Sequence, residues 1–96
     1  MIVAYVEFPT LGTPREQMIE KMRATVPKYE GLDGLVRKYY ILTEDGKRAG
    51  GVYLWKSREQ AERWYTADWR QYMKNAWGED PVLHYLECPI VVDNAK

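Results

Sequence analysis

The chain of 96 residues has little of what most enzyme chemistry uses: one cysteine, one histidine and one serine. A lone Cys88 excludes an internal disulfide, and one His with one Cys cannot build a zinc site. His84 and Cys88, four apart on an extended segment, would lie roughly 13 Å apart, which also excludes a Cys-His dyad. Ser57 is already needed as a helix cap. No phosphate loop, dinucleotide fingerprint or nucleophile elbow occurs, so hydrolase, kinase and nicotinamide-dehydrogenase readings lose their warrant. An excess of charge is missing too: 14 Lys+Arg stand against 14 Asp+Glu. That balance supplies no field for nucleic acid or anionic lipid. No apolar run approaches the roughly 20 residues that span a bilayer. With a single cysteine and no charged-then-apolar leader before the first strand, the expected setting is the cytoplasm.

What the chain does have is aromatic bulk. Four Trp, eight Tyr and one Phe sit within a 46% apolar composition, enough for the packed core of one domain spanning 1–96. Tyr and Trp in this number also suit an interface.

Residues Ile2 to Phe8 alternate as a strand. Thr13, Pro14 and Glu16 read as N-cap, first helical residue and capping-box partner of a helix carrying Met18, Ile19, Met22 and Val26 up to Pro27. Leu35 to Thr43 and Arg48 to Lys56 flank Asp45-Gly46, a hairpin signal. A two-residue turn there sets Tyr40 opposite Gly51, Lys38 opposite Tyr53, Val36 opposite Trp55, Tyr39 opposite Val52 and Arg37 opposite Leu54. Ser57 to Gln60 opens a second helix with Ala61, Trp64 and Tyr65 on one face. A restart at Asp68 brings Trp69, Tyr72, Met73 and Ala76 before Gly78. Val82 to Val92 is the last strand, with Pro89 marking an edge or bulge.

The order βαββαβ predicts an α+β, ferredoxin-like domain: two helices over one face of a four-stranded antiparallel sheet. The expected helix-facing side is Ile2, Ala4, Val6, Phe8, Leu35, Tyr39, Ile41, Val52, Leu54, Val82, Leu86, Cys88 and Ile90. The other side, with Tyr5, Lys38, Tyr40, Tyr53, Trp55 and Tyr85, is too aromatic for solvent and is expected to bury itself in a sheet-to-sheet homodimer. In this arrangement Arg37 and His84 project toward the helices, two polar groups in an aromatic-lined cavity of the kind that binds a small molecule. Trp64, Tyr65, Trp69 and Tyr72 would form its walls beside Tyr39. Of the glycine pair inside the second hairpin strand, Gly51 would receive Tyr40 and Gly50 would leave room for a ligand beside Arg37. A snorkelling Arg37 and a hydrogen-bonded core His84 are the plain structural alternatives.

Gly34-Leu35-Val36-Arg37-Lys38-Tyr39, then Ala49-Gly50-Gly51-Val52-Tyr53-Leu54-Trp55, a Ser-initiated helix with Ala61 and Tyr65, and a closing Val92-Asp93-Asn94 resemble the YdhR-type putative monooxygenases. The resemblance covers roughly residues 31 to 94 and implies a dimeric α+β barrel related to the antibiotic-biosynthesis monooxygenases. It further implies oxidation of a phenolic or quinol-like aromatic by dioxygen with no cofactor, neither metal nor flavin. Such chemistry requires a substrate whose anion can itself reduce oxygen, so the protein must bind, desolvate and deprotonate it. On that reading Arg37 would stabilise the anion and His84 would shuttle the proton. Heme-degrading relatives use a first-strand Asn and a helical His, for which Val6-Glu7-Phe8 and a last-strand His84 are no match.

Two other readings share the pattern. RNA-recognition domains are also βαββαβ, but Gly50 occupies the first aromatic position of their third-strand motif and the chain is neutral. A non-catalytic homodimeric module that binds a small aromatic ligand differs from the enzyme only in lacking turnover.

Overall fold

The computed structural model describes residues 1–95. Its elements are β1 (Ile2–Pro9), α1 (Arg15–Tyr29), β2 (Leu35–Leu42), β3 (Arg48–Trp55), α2 (Arg58–Trp64), α3 (Ala67–Trp77) and β4 (Val82–Glu87). All strand pairs are antiparallel and the sheet order is β2-β3-β1-β4. This is the ferredoxin-like α+β arrangement.

Local chemistry explains most of the boundaries. Ser57 caps α2 by accepting from Gln60 N, and Thr66 caps α3 by accepting from Trp69 N at 3.2 Å. The cap of α3 is therefore Thr66, two residues before the expected restart at Asp68, and such a cap contributes about 1 kcal/mol. Helix α1 lacks the expected Thr13 box: Pro14 is its N-cap, and among the described residues no side chain caps it. It also runs through Pro27 to Tyr29 instead of stopping. A proline there removes one N–H and costs about 3 kcal/mol in a helix interior. The extra turn carries the Tyr29 ring to 5.2 Å from Trp64, 5.8 Å from Tyr53 and 6.3 Å from Tyr40. Three aromatic pairs at about 0.5–1.5 kcal/mol each offset that cost. Strand β4 ends at Glu87, ahead of Pro89, and not at Val92.

The hairpin register holds for Tyr40↔Gly51, Lys38↔Tyr53, Tyr39↔Val52 and Arg37↔Leu54, but Trp55 pairs with Leu35 because Val36 is bulged. The tip is wider than two residues: Gly46 N donates to Thr43 O at 2.9 Å, with Gly46 at φ 75°.

The faces of three strands are reversed from expectation. Strand β3 pairs with β1 so that Tyr53 lies opposite Ala4, and β4 pairs so that Tyr85 lies opposite Ala4 from the other side. Cross-strand partners share a face. The buried set Ala4, Val6, Tyr53 and Trp55, with Phe8, Leu83 and Tyr85 packed on it, therefore faces the helices. Val52, Leu54, Tyr39, Ile41, Val82 and Leu86 lie on the outer side. Of the residues expected to form a dimer face, only Tyr5 is on the outer side, while Tyr40, Tyr53 and Trp55 point inward. The physical reason is room: Ala4, Ala49 and Gly51 are small where the large rings must fit.

Candidate functional site

Helices α1 and α3 stand away from the inner face of the sheet and enclose a cavity of about 570 Å³. Its floor is Val6, Phe8, Lys38, Tyr40, Gly50 and Tyr53. Met18, Met22, Thr25 and Tyr29 of α1 form one wall, and Trp64, Trp69, Tyr72, Met73 and Trp77 form the other. The volume and the predominance of aromatic and apolar lining suit a small organic ligand.

Each wall residue arrives there for a local reason. The stripe Met18, Met22, Thr25, Tyr29 follows the 3.6-residue period of α1. The break at Thr66 turns α3 so that Trp69 meets Tyr65, ring centroids 4.9 Å apart. On the floor, inward-pointing Lys38 and Tyr40 alternate with outward Arg37 and Tyr39.

Lys38 is the chemically distinctive group. Its Nζ lies 3.5 Å from the ring centroid of Tyr29, 3.9 Å from that of Tyr40 and 4.6 Å from that of Tyr53. Among the described residues no carboxylate lines the cavity. Burial, and second the nearby positive charge of Lys28, push the Lys38 amine from the ordinary 10.5 down to about 7. The three ring faces attract the ammonium, and burial opposes it. The amine therefore exchanges its proton near neutrality, inside an apolar chamber.

The surrounding hydroxyls behave differently. Burial pushes the Tyr29, Tyr53 and Tyr65 hydroxyls upward, so they remain neutral donors. Tyr40 Oη shares a 2.7 Å hydrogen bond with Thr25 Oγ1, tying β2 to α1 across the cavity. Trp55 Nε1 donates to Tyr65 Oη at 3.2 Å in the core beneath. The Trp64 indole N–H is buried without a protein partner among the described residues.

Of the residues singled out from the sequence, Gly50, Trp64, Trp69 and Tyr72 line this cavity. Tyr65 supports it from the core, packed on Trp69 and Tyr53. Arg37, Tyr39 and His84 do not join them. They sit on the outer face, where Arg37 donates to Tyr39 Oη at 3.2 Å and pairs with Asp93 at 3.3 Å. His84 is exposed and stacks on Tyr5 with ring centroids 6.4 Å apart. The expected convergence of Arg37 and His84 with the aromatic wall fails because β2 and β4 present the other face to the helices. Gly51 is covered by Tyr53 and the Lys38 stem, not by Tyr40.

Sequence reading missed Lys38, Tyr29, Tyr40 and Tyr53 as site residues. The common sheet face of Lys38, Tyr40 and Tyr53 was legible, and a lysine set among tyrosines on it was the available signal, whereas Tyr29 arrives from α1. Among the described residues no three His, Cys, Asp or Glu come together as a metal-binding group.

Residues 3–82 match the family model described as "Putative mono-oxygenase ydhR". No curated protein matches the chain. Among solved structures, a protein of unknown function from Nitrosomonas europaea, NE2512, superimposes with a TM-score of 0.73 at 12% identity, covering 99% of this chain and 95% of its own. A putative antibiotic biosynthesis monooxygenase from Bordetella bronchiseptica gives 0.69 at 14% identity over 93% of this chain and 97% of its own. Rv0793 from Mycobacterium tuberculosis gives 0.63 at 16% identity with both chains fully covered. At these identities the likeness to the solved structures is one of fold.

Proposed function

Because this chain belongs to the family of the putative mono-oxygenase ydhR, we propose that it oxidises a small phenolic or quinol-like aromatic with dioxygen in the cavity between helices and sheet. The observation that carries this reading is the Lys38 amine, caged by three tyrosine rings in a chamber without a carboxylate. Its low proton affinity leaves a substantial neutral fraction at physiological pH. Arg37 and His84, on the outer face, are released from the roles of anion stabiliser and proton shuttle.

The proton balance is feasible. Moving a proton from a phenol with a pKa of about 10 to an amine near 7 is uphill by about 4 kcal/mol. The resulting ammonium–phenolate pair, about 4 Å apart at an effective dielectric constant of about 20, returns about 4 kcal/mol. Lys38 can thus hold the substrate as its anion while the Trp64 and Trp69 rings stack on it. The anion gives one electron to dioxygen, and the resulting radical and superoxide join through a C–O bond. The hydroperoxide then loses water, so that one methylene carbon of the substrate's keto form and one dioxygen become one carbonyl and one water. The substrate carbon is oxidised, dioxygen is reduced, and the reductant is the substrate itself.

The test is oxygen uptake against a panel of hydroquinones and polyphenols, for the parent and for Lys38→Met. Loss of a positioned base lowers the rate by roughly 10²–10⁴-fold, and the parent rate rises with pH through about 7. Turnover unchanged in Lys38→Met would remove the assigned role. Aromatic ligands that quench Trp fluorescence without any oxygen uptake would instead establish the non-catalytic binding module.

A further inference from the structure

Among the described residues the cavity is lined by three lysines, Lys21, Lys28 and Lys38, and by no Asp or Glu. The chain as a whole is neutral, with equal numbers of each sign, so this concentration of one sign is local. Lys21 and Lys28 are exposed on α1 and seven residues apart, which places them on one side of the helix roughly 10 Å from each other along its axis. Lys28 Nζ stands 6.0 Å from the ring of the exposed, cavity-lining Tyr72 on α3. Two cations thus border the opening and a third, largely buried, lies on the floor.

A half-buried amine that takes up a proton near neutrality, with no carboxylate in its walls, lacks the ionic partner that such charges ordinarily have. The groups facing it are Tyr29 and Lys28 from α1, Tyr40 from β2 and Tyr53 from β3, and none of them is an acid. An anionic ligand would supply the missing charge.

We propose that the substrate is an aromatic acid, a ring system bearing a carboxylate held by Lys21 and Lys28 at the mouth and an ionisable hydroxyl directed to Lys38. This assignment rests on the reading of the cavity as the substrate site. A neutral naphthol uses the apolar walls and the Lys38 contact alone, whereas the acid adds two charge contacts at the exposed rim.

The test compares binding of 6-hydroxy-2-naphthoate and 2-naphthol, which differ by the carboxylate alone, through Trp fluorescence quenching under anaerobic conditions at low salt. The acid is expected to bind roughly tenfold more tightly, and the ratio should fall as ionic strength rises. In the double variant Lys21→Met/Lys28→Met the ratio falls to near one, while Lys56→Met, away from the cavity, leaves it unchanged. Equal affinity for the two ligands in the parent, or a preference that survives the double substitution, would overturn the proposal. Because the readout needs no oxygen, a protein that prefers the acid yet consumes no dioxygen with any aromatic refutes the monooxygenase reading alone.

Discussion

Replacing Lys38 with methionine should make the stability of this protein less dependent on pH, and the effect can be sized from the site. The folded-state amine sits at about 7 against an ordinary 10.5. Below pH 7 both folded and unfolded states hold the proton, and the folded state bears the full cost of a buried charge. Between about pH 7 and 10.5 the unfolded chain holds one proton more, so stability rises with pH at up to 1.36 kcal/mol per unit. From about pH 7 to 9 that amounts to at most about 2.7 kcal/mol. Partial solvent access to Lys38 reduces it to about 1–2 kcal/mol. Methionine keeps the apolar stem and removes the titration. Guanidinium unfolding followed by Trp fluorescence at several pH values between about 6.5 and 9 should show the parent gaining about 1–2 kcal/mol more than Lys38→Met over that range. The window stops short of tyrosine titration: the hydroxyls of Tyr53 and Tyr65 are pushed up on folding, so above about pH 10 the unfolded chain loses protons first and stability falls. A parent-to-variant gap constant within about 0.3 kcal/mol across this range would refute a buried, unpaired amine at position 38.

Two further outcomes follow from the sheet. A Cβ at Gly50 would overlap the Val6 carbonyl oxygen and lie 2.7 Å from its carbon, whereas at Gly51 it would meet the Tyr53 ring at 2.8 Å and the Lys38 stem at 3.2 Å. Backbone yields less than side chains, so Gly50→Ala should cost about 3 kcal/mol or more and Gly51→Ala about 1–2 kcal/mol by thermal melting. Equal losses would contradict the close approach of β3 to β1. The outer sheet face carries Val52 and Leu54 beside Tyr39 and Leu86, 54% and 56% exposed, and we expect it to bury itself against a second copy. Sedimentation at micromolar concentration should give a dimer for the parent and a monomer for Leu54→Asp with unchanged helix content. A monomeric parent would end this expectation.

The element order and most of the hairpin register were legible because turn and cap residues act locally: Gly46 and Gly78 through a left-handed backbone and Ser57 through its hydroxyl mark their boundaries with no tertiary partner. Which face of the sheet meets the helices is a different kind of question. Period-two alternation in β2, β3 and β4 divides residues into two sets but does not say which set is inside when both are apolar. The hairpin fixes β2 against β3, and only the long-range pairing of Ala4 with Tyr53 and Tyr85 orients that hairpin and β4 relative to β1. Apolar character alone favoured the side with Val52 and Leu54. Volume favours the other, since Tyr53, Trp55 and Tyr85 bury more area per residue and need the small Ala4, Ala49 and Gly51 beneath them. The reversal moved the site with it. Arg37 and His84 drew attention as charged or titratable groups on a supposed inner face, whereas Lys38 stood one position along, grouped with Tyr40 and Tyr53, two of the three rings that enclose it. A lysine on an aromatic face reads as solvated until the pairing of β1 turns that face inward. The same rings that made the face look like an interface then become the chamber that lowers the proton affinity of its amine.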